Sequence, residues 1–219
     1  MAGTLLVLGA SSDQIFMIDT ARALGLKVVA VDIDPKAPGF GRANEAAIVS
    51  TRDVSALLDL TDDLRVRGHR IRGVTTMGSD IPDVIAELCA HLGTPGPSRE
   101  TARLATDKHQ MKLRFRERGI PIPWFEEIGR FEELAAIVAQ RGFPLVLKPI
   151  DRSGSRGVFL LEEGCDLADL FARSYAFSRV GRCLVEEYLE GPQISTETVL
   201  FAGFGVTPGF ADRDRKSVV

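Results

Sequence analysis

The stretch FPLVLKPIDRSGSRGVFLL, residues 143–161, sets two apolar runs on either side of a loop rich in glycine and serine. Pro144 to Pro149 and Val158 to Leu161 are short and rich in branched residues, as β-strands are, and their spacing resembles that of a hairpin. In the loop Asp151-Arg152-Ser153-Gly154-Ser155-Arg156-Gly157, two glycines and two serines give a backbone that can turn its N–H groups toward an anion. Lys148 and Arg156 add positive charge for phosphate oxygens. The loop is not a Walker loop, because no GxxxxGK[ST] occurs in the chain and both flanks are strands. Taken alone, it also fits a solvated hairpin carrying surface charges.

Downstream, a helix near Asp166 to Phe177 precedes a third strand, Cys183 to Leu189, which runs into Glu190-Gly191-Pro192. Successive strand residues face opposite sides, so Glu186 and Glu187 cannot enter one pocket as a general acid/base pair. A hinge of this kind can instead offer backbone C=O and N–H groups to the edge of a base, with Tyr188 or Leu189 lining an apolar slot. An ordinary strand end with a glycine turn is the plainer reading. Ile194 to Phe201 and Gly205 to Phe210 read as the last strands. Upstream, Thr106-Asp107 caps a charged helix that runs to Arg118 and is closed by Gly119, and Ile120 to Pro123 must be extended. Lys108 stands at the start of that helix, where its ammonium adds to the positive end of the dipole. A further helix carries Phe131, Leu134 and Val138. These elements make an α+β unit with a mainly antiparallel sheet.

The front of the chain alternates differently. Thr4 to Gly9, Lys27 to Val31, Ala46 to Val49 and Gly73 to Thr76 read as strands, and the first, third and fourth are each followed by a helical pattern. The clearest is Ile81, Val84, Ile85, Leu88 and Leu92, an apolar stripe of helical period. Strand–helix alternation predicts a doubly wound parallel sheet over residues 1–95. The breaker-rich Gly93 to Ser98 marks the expected junction, with the second domain over 96–219. Gly9-Ala10-Ser11-Ser12 with Asp32 stands where a dinucleotide fold places its pyrophosphate turn and ribose acid, but the fingerprint is incomplete: Ser11 and Gln14 replace its second and third glycines.

Composition narrows the classes. With 45% hydrophobic and 26% charged residues, the chain can bury a core, and disorder is not expected. A net charge of -3 with scattered basic residues gives no reason to expect nucleic acid. Three cysteines without a CxxC pair argue against a disulfide framework or structural zinc and favour a reducing cytoplasm. No apolar run approaches the roughly 18–20 residues that span a bilayer, and the N-terminus lacks a signal-peptide pattern. His69, His91 and His109 have no metal-ligand spacing.

Taken in order, TDKHQMKLRFRERGIPIPWF, FPLVLKPIDRSGSRGVFLL and LVEEYLEGPQISTETVL resemble the lysine helix, the lysine strand with its glycine loop, and the adenine hinge of the ATP-grasp superfamily. LGASSDQ and VVAVDIDPKAPG are similar to the front domain of its biotin carboxylase and carbamoyl-phosphate-synthase-like members. The resemblance implies that Lys108 and Lys148 contact ATP phosphates, that Ser153, Gly154, Ser155, Arg156 and Gly157 close over them, and that Glu186, Glu187, Tyr188 and Leu189 bind adenine. Gln193 stands where many members carry a ribose-binding glutamate, and an amide can still bond a hydroxyl. Glu197 is a secondary candidate.

The implied activity is attack of a small substrate carboxylate on the γ-phosphate of ATP, giving an acylphosphate that an amine or similar nucleophile captures. The implied partners are ATP, Mg2+ and that carboxylate, and a homo-oligomer is left open. Family members continue through strands that supply the Mg2+ carboxylates, so the second half of the fold is expected to be incomplete, with binding of ATP but no turnover. Asp212 and Asp214 are the only late acids, in a charged tail. The alternatives are a catalytically silent nucleotide-binding or regulatory module and a nicotinamide-dependent reductase built on the front domain.

Overall fold

The computed structural model describes residues 3–201 and 203–213. It comprises two compact units, Met1–Thr106 and Asp107–Val219.

In the first unit, four strands, β1 (Thr4–Leu8), β2 (Lys27–Asp32), β3 (Glu45–Ile48) and β4 (Ile71–Thr75), form a parallel sheet in the order β3-β2-β1-β4. Helices α1 (Ser12–Ala23), α2 (Val54–Val66) and α3 (Pro82–Leu92) connect or follow them. The two-residue period of a strand divides its side chains between two cores. Leu6, Leu8, Val29 and Val31 pack with Leu57, Leu64, Val84 and Leu88, whereas Val7, Val28 and Ala30 pack with Ile18 and Ala21. Such double-sided burial is why these strands read as continuous apolar runs.

Helix α3 ends at Gly93, whose φ of 65° is the left-handed conformation that a residue with a Cβ resists. The chain then forms α4 (Arg99–Thr106), a helix absent from the sequence reading. It belongs to the first unit: Arg99 clamps Glu87 of α3 through Nε at 2.6 Å and Nη2 at 2.7 Å, and Ala102 is buried. The division between units therefore falls at Thr106/Asp107, beyond the Gly93 to Ser98 breakers. Those breakers mark only a loop between two packed helices.

The second unit opens with α5 (Lys108–Glu117), capped as expected by Asp107, whose Oδ1 accepts from the Gln110 N–H at 2.9 Å. Strands β5 (Phe125–Ile128), β6 (Leu145–Pro149), β7 (Phe159–Leu161) and β8 (Cys183–Glu187) form an antiparallel sheet in the order β5-β8-β6-β7. Helices α6 (Phe131–Arg141) and α7 (Leu167–Phe177) cover one face. Leu145, Leu147, Cys183 and Val185 pack there with Leu134 and Ile137. The hairpin of β9 (Gln193–Phe201) and β10 (Phe204–Arg213) forms a separate sheet. Strand β5 was not assigned from sequence; FEEI is short, and its place is set by pairing with β8.

Candidate functional site

The register of β6 on β8 decides what the face opposite α6 and α7 presents. Val146 lies opposite Glu186, and Lys148 opposite Leu184. Since Leu145 and Leu147 turn into the core, Val146 and Lys148 must turn away from it, onto the same face as Glu186. Lys148 and Glu186 are diagonal neighbours there, and the Lys148 ammonium donates to Glu186 Oε1.

Glu186 has a second cation. Its Oε2 is 2.8 Å from Nζ of Lys112, a buried lysine on α5 whose ammonium also lies 5.4 Å from the centre of the Phe125 ring. Lys112 was not a candidate from sequence. The signal was its position one helical turn after Lys108, which puts both lysines on one face of α5. Glu187 turns the other way, as alternation requires: it is exposed, and its Oε2 accepts from the Trp124 N–H at 3.3 Å. The two glutamates therefore do not form an acid/base pair.

Beyond Glu187 the ladder ends, and Tyr188 to Pro192 cross the end of the sheet as a connection to β9. This segment and the outward face of β6 and β7 enclose a cavity of about 550 Å³. Val146, Val158 and Leu160 supply an apolar wall, and the hinge residues Glu186 to Gln193 supply the rim. Glu186, Glu187, Tyr188, Leu189 and Gln193 thus come together at one cavity, joined by apolar residues that sequence reading did not select. Lys148 lies one strand pair farther along the same face and is not part of the lining. Glu197 is exposed on β9 and does not line the cavity.

The glycine loop follows β6. Ser155 takes φ 56°, the one positive φ of a non-glycine residue among the described residues, and Gly154 and Gly157 take 68° and 75°. Ser153 is half-buried, Gly154, Ser155 and Arg156 are exposed, and Gly157 is buried. The Arg156 guanidinium bonds back to the Ser153 carbonyl at 3.3 Å. The stem is anchored at several points. Asp151 Oδ2 accepts from the Arg179 N–H at 2.8 Å, and the Arg152 guanidinium donates to the Phe177 carbonyl. Lys108 donates from its ammonium to the carbonyls of Arg152 and, at 3.4 Å, Ile150. It therefore sits at the base of this loop, outside the cavity lining.

Elsewhere, candidates resolve into structural roles. Cys183 is buried; desolvation pushes its thiol pKa up against the smaller effect of Ser174, whose hydroxyl lies 3.5 Å from its sulfur. Such a thiol is a core group and not a nucleophile. In the first unit, the Gly9 turn is filled by the buried Gln14 side chain, which donates to the Met77 carbonyl and accepts from Ser11 Oγ at 2.6 Å. Asp32 is also engaged, accepting from the N–H groups of Ala10 at 2.8 Å and Asp34 at 3.0 Å. The carboxylate that a nicotinamide reading would offer to ribose instead ties the turn together.

The lining of the hinge cavity fits a nucleotide: an apolar wall of Val146, Val158 and Leu160, the hinge residues at its rim, and a lysine farther along the same sheet face. It does not extend to a divalent metal. Among the described residues no group of three or more His, Cys, Asp or Glu is placed to hold an ion. Asp212 is exposed on β10, and Asp214 lies outside the described residues.

Known proteins resemble the chain in sequence and in fold. Residues 107–201 match the family described as carbamoyl-phosphate synthase L chain, ATP binding domain. A formate-dependent phosphoribosylglycinamide formyltransferase of Burkholderia mallei is 30% identical over 192 residues, which are 86% of this chain and 46% of that protein. Among solved structures, the biotin carboxylase domain of Hydrogenobacter thermophilus 2-oxoglutarate carboxylase, in complex with MgADP and bicarbonate, superposes with a TM-score of 0.81 at 21% identity. The match covers 97% of this chain and 50% of that one. N5-carboxyaminoimidazole synthetase of Staphylococcus aureus, complexed with ADP, gives 0.80 at 17% identity, covering 99% and 56%.

These likenesses agree with the resemblance of the chain to the ATP-grasp superfamily, and residues 107–201 carry it most directly. The second unit is similar, over residues 107–201, to the ATP binding domain of the carbamoyl-phosphate synthase L chain. The chain spans about half the length of the relatives it matches.

Proposed function

We propose that the second unit binds ATP at the β8–β9 hinge and that the protein works as an ATP-dependent ligase, activating a small carboxylate as an acylphosphate for capture by an amine or similar nucleophile. The observation that carries this reading is the β6/β8 register, which puts Lys148 on the same sheet face as a cavity with an apolar wall. In this reading, Glu186 to Leu189 hold adenine, chiefly by backbone, against Val146, Val158 and Leu160. Gln193 bonds the ribose, and Glu197 is a secondary contact. Lys148 and Lys108 meet the phosphates, and Ser153 to Gly157 close over them and exclude water.

Phosphoryl transfer of this kind depends on positioning and on cations that neutralise developing charge. In this reading Lys148, Lys108 and the loop N–H groups supply the part of that charge that the described residues carry. Among the described residues no group of three or more His, Cys, Asp or Glu is placed to hold a magnesium ion.

Three free cysteines fit a reducing compartment such as the cytoplasm. No described helix is long and apolar enough to cross a membrane. Calorimetric titration with ATP, with and without Mg2+, tests the reading. Saturable binding that Lys148→Ala weakens supports it, and absence of binding at millimolar ATP overturns it. Tight, metal-independent binding without turnover would favour a nucleotide-binding regulatory module instead.

A further inference from the structure

The Glu186 carboxylate lies between two ammonium groups that differ in freedom. Lys112 sits 2.8 Å from Oε2 with its side chain 9% exposed, and it is packed against the Phe125 ring. Lys148, on Oε1, is 19% exposed and is the one on the face that carries the cavity. One negative charge and two positive charges leave the cluster with a surplus cation. Lys148 is the member free to leave, because it is less enclosed and a phosphate would approach from its side.

We infer that Lys112 is a positioning residue for nucleotide binding, acting as the standing counter-ion that lets Glu186 release Lys148 to a phosphate. When Lys148 turns toward a phosphate, Glu186 keeps a partner, and the buried remainder is a neutral pair. Without Lys112, the same movement would strand the carboxylate of a side chain that is 11% exposed, and an unpaired buried charge is strongly unfavourable. Lys148 would then stay on Glu186. Lys112 therefore sets phosphate affinity without touching the ligand. This rests on the reading that ATP binds at the hinge with its phosphates toward Lys148.

The test compares ATP with adenosine on the 219-residue chain by calorimetry. Lys112→Met is expected to weaken ATP binding by about tenfold or more while leaving adenosine within about twofold, because only the phosphates recruit Lys148. Lys112→Arg, which keeps the charge, is expected to hold ATP within about threefold. In a Glu186→Gln background no carboxylate can be stranded, so adding Lys112→Met should change ATP affinity by less than about twofold. That double variant also keeps the test open if Lys112→Met alone does not fold. Equal loss of ATP and adenosine, unchanged ATP affinity in Lys112→Met, or a large further loss in the double variant would each overturn the inference. If the unaltered chain binds adenosine but not ATP, the proposed placement of the phosphates fails; if it binds neither, the nucleotide reading fails, and the inference with it.

Discussion

The ring of Phe177 closes the space above Gly157. A Cβ added to Gly157 would fall 2.8 Å from Phe177 Cδ2 and 3.1 Å from Phe177 Cβ, at a φ of 75°. Both the space and the backbone conformation therefore require glycine at the end of the loop. Gly157→Ala is expected to destabilise the second unit by about 1–3 kcal/mol and to weaken ATP binding by displacing the loop. Gly154 has φ 68° but nothing within 4 Å of the added atom, so Gly154→Ala should cost less. Urea denaturation of the two variants side by side reads the difference, and equal losses would contradict the role given to Phe177.

Lys148 is the phosphate ligand in the proposed site. Charge-assisted hydrogen bonds contribute about 1.5–3 kcal/mol, so Lys148→Ala is expected to lower ATP affinity by about tenfold to a hundredfold. Adenosine should bind as before, because Lys148 does not line the cavity. Titration with both ligands separates loss of a phosphate contact from damage to the slot.

Leu134 on α6 is fully buried beneath the sheet, on the face away from the cavity. Leu134→Ala should cost about 2–5 kcal/mol of unfolding free energy from lost burial and the cavity left behind. ATP affinity of the folded fraction should stay within about twofold, as read by denaturation and calorimetry on one preparation.

Glu133 at the start of α6 accepts from the N–H groups of Gly129 at 2.8 Å and Arg130 at 3.1 Å and pairs with the Arg130 guanidinium. The Gly129 hydrogen bond, followed by that of Arg130, holds its pKa below the ordinary glutamate value. A carboxylate depressed in the folded state contributes stability that is fully present above its unfolded-state pKa and is lost as pH falls through the folded-state value. Stability of the unaltered chain should therefore decline across that acidic window. Glu133→Gln should be less stable above it and should lose less on acidification, which urea midpoints measured over a pH series will show.

The elements that sequence made legible are those in which the local pattern and the tertiary role coincide. Ile81, Val84, Ile85 and Leu88 announce α3 because the helical period and the buried stripe are the same fact. Asp107 announces α5 because a cap acts within its own turn. Helix α4 escaped because only Ala102 is fully buried in it, and its anchor, Arg99 on Glu87, lies on another helix. Strand β5 escaped for a related reason, since four residues carry too short a pattern and the partner lies far along the chain.

In the site, residue types were legible and their groupings were not. The order of lysine helix, lysine strand, glycine loop and hinge by itself carried the resemblance to the superfamily, because each segment has a chemistry readable from its own residues. The sequence also determined that Glu186 and Glu187 face apart, through the strand period alone. Only the tertiary structure decided that Val146, Val158 and Leu160 wall the cavity, that Lys108 ties down the loop stem, and that Lys112 shares Glu186 with Lys148. The physical reason is range. Caps and periodicities act over a few residues, whereas the pairing of Lys148 with Glu186 depends on strand register between positions 38 apart in the chain.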